Sequence, residues 1–283
     1  PYAMSTVAAV APEDVAAALG PHGWFQLYPP RDPDIRRDVL ARARDAGFTT
    51  LVLTVDVPLL SRRPRELKAR LQNPMRMTPR VLLESALAPV WALGHLGRPI
   101  PHPKIFDKYT AGMTPAAGDK HIGLTLRCAP DWAYLDALRA EWDGPLIVKG
   151  VLDPGAAPRR IDAGADALWV SNHGGRQFEA APAPLPALVA IRQAVGPTYP
   201  LISDGAVRSG TDVLRSLALG ADFVMLGRAF HYGLAAAGLD GARQVVHILS
   251  EEMRLDMAQL GIDRPCDARG RATVSWETTT ALP

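Results

Sequence analysis

Short apolar runs recur along the chain, spaced so that one helix fits between each pair. They cover Tyr2–Ser5, Trp24–Tyr28, Thr50–Asp56, Pro145–Lys149, Ala167–Ser171, Leu201–Asp204 and Phe223–Leu226. Several are apolar at successive positions rather than alternate ones, which predicts parallel strands covered on both faces. Helix-like stretches lie between them, at Pro12–Leu19, Pro33–Asp45, Asp131–Trp142, Asp153–Ala163, Pro184–Val195 and Thr211–Leu219. A helix–Gly–strand phrase returns at Ala46-Gly47-Phe48, Ala163-Gly164-Ala165 and Leu219-Gly220-Ala221. Glycine just past a last helical turn takes the left-handed cap that a Cβ resists. Its repetition points to stacked βα units and favours a (β/α) barrel over a doubly wound open sheet.

Two regions break this rhythm. Ser61 to Arg127 shows no clear strand and is rich in prolines and basic residues. An insertion at the end of a barrel strand is usually an active-site lid or a docking surface. After Leu260 the pattern fades into a polar stretch, Asp263 to Pro283. The expected organisation is one barrel over residues 1–262, carrying 61–127 as an insertion, followed by a tail at 263–283 that is mobile or wraps a neighbour.

Composition narrows the function classes. The 283 residues include 31 Lys and Arg against 29 Asp and Glu, a net charge of +2. That balance argues against a nucleic-acid binder. A hydrophobic fraction of 48% with 21% charged residues excludes a wholly disordered chain. Cys128 and Cys266 form no CxxC pair, so neither a thiolate zinc site nor a disulfide framework is expected, and the compartment reads as reducing and cytoplasmic. The histidines show no metal-ligand spacing, and no metal is expected. Pro1 to Thr6 carries no basic region or cleavage site of a signal peptide, and reads as the interior of a longer sequence. No apolar stretch reaches the length of a spanning helix.

In a barrel, catalytic groups gather where strands end. The polar residues at those positions are Ser5, Gln26, Tyr28, Thr54, Asp56, Lys149, Ser171, His173, Arg176, Asp204, Arg208 and Arg228. The densest segment is Ser171-Asn172-His173-Gly174-Gly175-Arg176-Gln177. Its histidine can exchange a proton near neutral pH, its arginine can clamp a carboxylate, and its glycines let backbone approach a ligand. Asp204-Gly205 through Asp212 ends one strand and opens a helix, and Leu226-Gly227-Arg228 ends the next. Turns after the last strands of a barrel bind phosphate through backbone N–H groups and arginine. Lys149 and Asp56 each end an apolar strand, where an isolated charge is costly. Asp56 can pair with His173, or the two charges can serve separate structural ion pairs.

Taken in order, Trp24-Phe25-Gln26-Leu27-Tyr28, Thr54-Val55-Asp56, Val148-Lys149-Gly150, Ser171 to Gln177, Asp204 to Arg208 and Leu226-Gly227-Arg228 resemble the FMN-dependent L-2-hydroxy acid dehydrogenases and oxidases. The likeness runs from Pro1 to about Gly261, and is closest to the bacterial respiratory L-lactate dehydrogenases and the mandelate dehydrogenases. The resemblance implies a (β/α)8 TIM barrel with FMN at its C-terminal mouth. It places Ser5, Gln26, Thr54, Lys149 and Ser171 against the flavin and Asp204, Gly205, Arg208, Gly227 and Arg228 on the phosphate side. It makes His173 the catalytic base paired with Asp56, Arg63 and Arg176 the holders of the substrate carboxylate, and Tyr28 a neighbour of the substrate hydroxyl. It implies oxidation of a small L-2-hydroxy acid, L-lactate foremost, with electrons passed on to quinone, cytochrome or oxygen, in a homo-oligomer.

This sequence departs from the family at Ser61 and Ala206, usually glycine, at Glu66, usually aspartate, and at Ser209, commonly a basic or polar residue. Family members also carry a first βα unit before the strand at Pro1, so the resemblance implies a barrel whose first unit is missing from this chain. A non-catalytic flavin-binding remnant or interaction protein of the same fold is the alternative. Trp91, Arg98 and Lys104 in the insertion are compatible with peripheral contact on the inner face of a membrane, or with a lid under a neighbouring subunit.

Overall fold

Proline opens most helices of this chain, as at Pro12, Pro33, Pro79 and Pro184. Its missing N–H is harmless in the first turn, where amides have no intrahelical acceptor. The computed structural model describes residues 1–272 except 60, 62, 64–67, 69–77, 96, 98–100, 115–117, 119–122, 124, 126 and 127. Glu66 and Arg98 lie outside the described residues. The chain forms two compact units, Pro1–Pro145 and Leu146–Pro283.

In the first unit β1 (Tyr2–Ser5) leads to α1 (Pro12–Leu19), β2 (Gly23–Leu27) to α2 (Pro33–Asp45), and β3 (Thr50–Thr54) to the insertion. The three strands pair in parallel, Met4 beside Phe25 and Phe25 beside Leu51. Phe25, Leu27, Leu51, Val52 and Leu53 are wholly buried, successive residues of β3 included, as expected of strands covered on both faces. Asp32 caps α2 by accepting the Asp34 N–H at 2.8 Å.

Among the described residues, the insertion shows the short helices α3 (Pro79–Ala86) and α4 (Pro89–His95), which periodicity did not reveal. It then returns as a 3-10 segment, Lys104–Tyr109, which buries Ile105 and Phe106. That segment is fastened to α2: Lys108 and Tyr109 both reach Asp38, and Arg42 Nη1 donates to the Ile105 carbonyl at 2.7 Å. The unit closes with α5 (Trp132–Glu141), whose Glu141 takes Arg36 through both oxygens at 2.8 and 2.7 Å.

In the second unit β4 (Leu146–Val151), α6 (Ala157–Asp162), β5 (Ala167–Val170), α7 (Pro184–Val195), β6 (Leu201–Ser203), α8 (Gly210–Ala218), β7 (Phe223–Val224) and α9 (Arg228–Leu260) follow in turn. The four strands are parallel and neighbours in chain order. The register of β4 shifts between Lys149 and Val151, around Gly150 with φ +96°. Such a bulge bends a strand end and re-aims its side chains. The α9 helix breaks at Ala237–Gly238. Its halves approach so closely that a Cβ on Gly241 would stand 1.9 Å from the Gly233 carbonyl oxygen.

Seven parallel strands are described, in chain order within each unit. This is the TIM-barrel class of α/β fold with one βα unit fewer than eight. The stretch from Asp263, expected as a tail, begins as a packed turn. Ile262 and Ala268 are buried against Leu214, Leu217, Met253 and Met257.

Asp222 is the anchor of that packing. It accepts the Leu201 N–H at 2.8 Å and Arg192 at 2.6 Å, and takes Arg269 on its other oxygen. Burial raises its pKa, but the Leu201 amide, Arg269 and Arg192 together outweigh burial and hold the carboxyl below its usual value. A depressed carboxylate contributes stability above its unfolded pKa and loses it as pH falls. Asp222→Asn is therefore expected to unfold several degrees lower than the parent at pH 7. The gap between the two proteins' thermal melts should start to narrow below about pH 4 and close only below the depressed folded value; a gap that does not narrow with acid would refute the ionic origin.

Candidate active site

The C-terminal strand ends of the first unit carry a hydrogen-bonded row. Ser5 Oγ donates to Gln26 Oε1 at 2.8 Å, and Gln26 Nε2 donates to Thr54 Oγ1 at 2.7 Å. One polar side chain from each of β1, β2 and β3 is thus tied to the next. Gln26 is 7% and Thr54 1% exposed, so the pairing offsets a real desolvation cost. Thr6 adds a second tie: its hydroxyl donates to the Gln26 carbonyl and accepts the Tyr28 N–H at 3.1 Å. Tyr28, Asp56 and Arg63 lie just past the strands and are half-buried. Arg63 has φ +42°, in the left-handed region.

The second unit gathers its polar strand ends around Ser171. Ser171 is fully buried, and its Oγ accepts both the Lys149 ammonium at 3.1 Å and the His173 backbone N–H at 3.0 Å. One hydroxyl therefore fixes the lysine and the start of the histidine turn. His173, Gly174 and Gly175 have φ of +56°, +65° and +73°. Asn172 braces this left-handed turn, its Oδ1 accepting the Gly175 N–H at 3.1 Å and its Nδ2 donating to the Pro182 carbonyl at 3.3 Å. Lys149 Nζ also lies 3.6 Å from Asp204 Oδ2. Arg228 Nη2 donates to the Gly174 carbonyl at 2.9 Å. Arg176 and Arg208 are exposed, and Arg208 leads into the Ser209–Asp212 capping box that opens α8.

Residues 1–274 match the family described as FMN-dependent dehydrogenase. The chain belongs to that family. This FMN-dependent dehydrogenase is 42% identical over 268 residues to the L-lactate dehydrogenase of Caulobacter vibrioides, covering 93% of this chain and 69% of that protein. It is 39% identical over 265 residues to the L-lactate dehydrogenase of Pseudomonas aeruginosa, covering 92% and 69%. Among solved structures, the monotopic membrane protein (S)-mandelate dehydrogenase superposes with a TM-score of 0.89 at 33% identity, over 96% of this chain and 72% of that one. Mandelate oxidase with (S)-2-phenylpropionate does so with a TM-score of 0.75 at 35% identity, over 95% and 68%. The enzyme is thus of the FMN-dependent 2-hydroxy acid dehydrogenase and oxidase family, and its cofactor is FMN.

The dehydrogenase's second unit suits that cofactor. Asp204 Oδ1 and Ser203 Oγ are buried with no hydrogen-bond partner among the described residues, acceptors ready for hydroxyl donors such as those of a ribityl chain. Two of its turns leave no room for a side chain at their glycines. A Cβ on Gly174 would stand 2.7 Å from Arg228 Nη2, and one on Gly205, at φ +102°, would stand 2.8 Å from Pro184 Cγ. Space around Gly227 is open. Arginines beside such turns supply the charge a phosphate needs.

Three contributors escaped the reading of strand ends: Thr6, Asn172 and Trp169. Trp169 Nε1 donates to Asp204 Oδ2 at 2.9 Å, and Lys149 Nζ lies 5.2 Å from its ring centre. Its signal was available, since a residue two before Ser171 shares that residue's face of the strand.

Proposed function

We propose that this enzyme oxidises an L-2-hydroxy acid, L-lactate first among them, to the 2-keto acid, with His173 as base. The hold of one Ser171 hydroxyl on both the Lys149 ammonium and the His173 backbone carries the reading, since it brings a fixed positive charge and the histidine turn to neighbouring strand ends. Bound FMN would supply the two-electron acceptor, with a quinone, cytochrome or oxygen as the onward acceptor. His173 takes a substrate proton on its imidazole, and Asp56 is the carboxylate that stabilises the protonated ring. Lys149 stabilises the negative charge that develops on the cofactor side. Arg63 and Arg176 hold the substrate carboxylate, and Tyr28 orients the hydroxyl. Ser5, Gln26, Thr54 and Ser171 would line the flavin, and Asp204, Gly205, Arg208, Gly227 and Arg228 would hold its phosphate side.

Anaerobic mixing with L-lactate should bleach the FMN absorbance, and (S)-mandelate offered in parallel reads the size of the substrate pocket. Failure of every L-2-hydroxy acid to bleach bound flavin would leave the non-catalytic alternative standing.

The same reading includes a peripheral membrane contact through α3 and α4. No helix among the described residues is long and apolar enough to cross a membrane. These two short helices and their joint instead expose Leu82, Leu83, Leu87, Val90, Trp91 and Leu93, Val90 to 87%. A cluster of this kind suits burial at a headgroup boundary. Leu87→Glu combined with Trp91→Glu is expected to abolish co-sedimentation with phosphatidylglycerol-containing vesicles while sparing turnover with a soluble acceptor. Undiminished co-sedimentation would rule these helices out as the contact.

A further inference from the structure

Trp169 lies on β5, 4% exposed, and engages both Asp204 and Lys149. Its indole N–H donates to Asp204 Oδ2 at 2.9 Å, and its ring faces Lys149 Nζ 5.2 Å from the centroid. Lys149 and Asp204 are themselves close, with side chains only 12% and 16% exposed, yet their atoms stop at 3.6 Å. An unimpeded ammonium and carboxylate close to about 2.8 Å as a charge-assisted hydrogen bond. Here they do not. The indole N–H orients the carboxylate through Oδ2, while the ammonium donates to Ser171 Oγ at 3.1 Å and rests against the indole ring.

We propose that Trp169 is a positioning residue that keeps the Lys149 ammonium out of a closed ion pair with Asp204, so that its charge remains available to the reduced, anionic flavin. This rests on the reading in which Lys149 stabilises that charge. Without the indole, Asp204 Oδ2 loses a neutral donor and the ammonium loses its aromatic neighbour. The two charges then collapse together and largely cancel. The bound flavin becomes harder to reduce, although no group that touches it has been removed. Asp204 Oδ1 is buried and has no hydrogen-bond partner among the described residues.

The test is the two-electron reduction potential of bound FMN, measured by anaerobic dye equilibration, together with the dissociation constant of oxidised FMN. Trp169→Phe keeps a ring face and loses the N–H; Trp169→Leu loses both; Trp169→Tyr refills more of the volume and is read where either of the others fails to fold in thermal melts. Trp169→Phe is expected to lose about tenfold in its preference for reduced over oxidised flavin, about 30 mV in potential. Trp169→Leu should lose more, and oxidised FMN should bind both nearly as tightly as it binds the parent. Lys149→Met separates the proposal from its premise, and should lower the potential at least as far. A parental potential in the Trp169 variants beside a lowered one in Lys149→Met overturns the positioning role alone. A parental potential in Lys149→Met as well overturns the premise with it.

Discussion

His173→Asn is expected to slow flavin reduction by L-lactate by about a thousandfold, the middle of the range for loss of a general base, while FMN stays bound. Asparagine is the informative replacement because of the backbone. His173 sits at φ +56°, followed by two glycines also at positive φ. Asparagine enters the left-handed region more readily than other residues with a Cβ. The turn is also held from outside the imidazole, by Ser171 Oγ on the His173 N–H and by Asn172 on the Gly175 N–H. The variant therefore removes a proton acceptor and leaves the frame. Anaerobic stopped-flow absorbance reads the rate, and fluorescence titration reads FMN binding. A rate within tenfold of the parent would dismiss His173 as the base, whereas loss of FMN with the rate would mean that the turn itself had failed.

The fold was legible where one rule acts along a short stretch. Continuous apolar runs named every strand, because β2, β3, β4 and β5 are buried on both faces and tolerate no alternation. The boundaries drifted by a residue or two, so that Asp56, Ser171 and Asp204 fall just beyond the strands instead of within them. What stayed hidden depends on distant partners. The Lys104–Tyr109 segment is held by Asp38 and Arg42 of α2, far away in sequence. The packing of Ala268 depends on Leu214 and Met257. The exposed leucines of α3 and α4 gave no core-facing stripe to read. Charge at a strand end singled out Lys149, His173 and Asp204, which the structure groups about Ser171 and one another. Trp169 was passed over because an apolar strand interior is where a tryptophan needs no explanation; only its indole N–H on Asp204 gives it a role.

Gly210→Ala is expected to cost about 3 kcal/mol, the upper range for forcing a methyl into filled space, and to lower the melting temperature by roughly 6–10 °C. Gly210 opens α8 where that helix meets α9. A Cβ there would stand 2.4 Å from the Met253 amide nitrogen and 2.7 Å from the Leu249 carbonyl oxygen. Both are helix backbone, which cannot rotate aside as a side chain can. The clash also acts on a fastened joint, since the Gly210 N–H donates to Glu252 Oε2 at 2.7 Å and Thr211 Oγ1 to Asp256 Oδ2 at 2.5 Å. Relief requires the first turn of α8 to move off α9, and Arg208 and the Ser209 cap move with it. Those residues belong to the proposed phosphate side of the cofactor site, so the variant should bind FMN about tenfold more weakly, the worth of one charged hydrogen bond. Riboflavin, which lacks the phosphate, should bind variant and parent alike. Calorimetric melts and paired titrations with the two flavins measure both effects. An equal loss for riboflavin and FMN would mean that the damage is general, and would remove the α8 turn from the phosphate site.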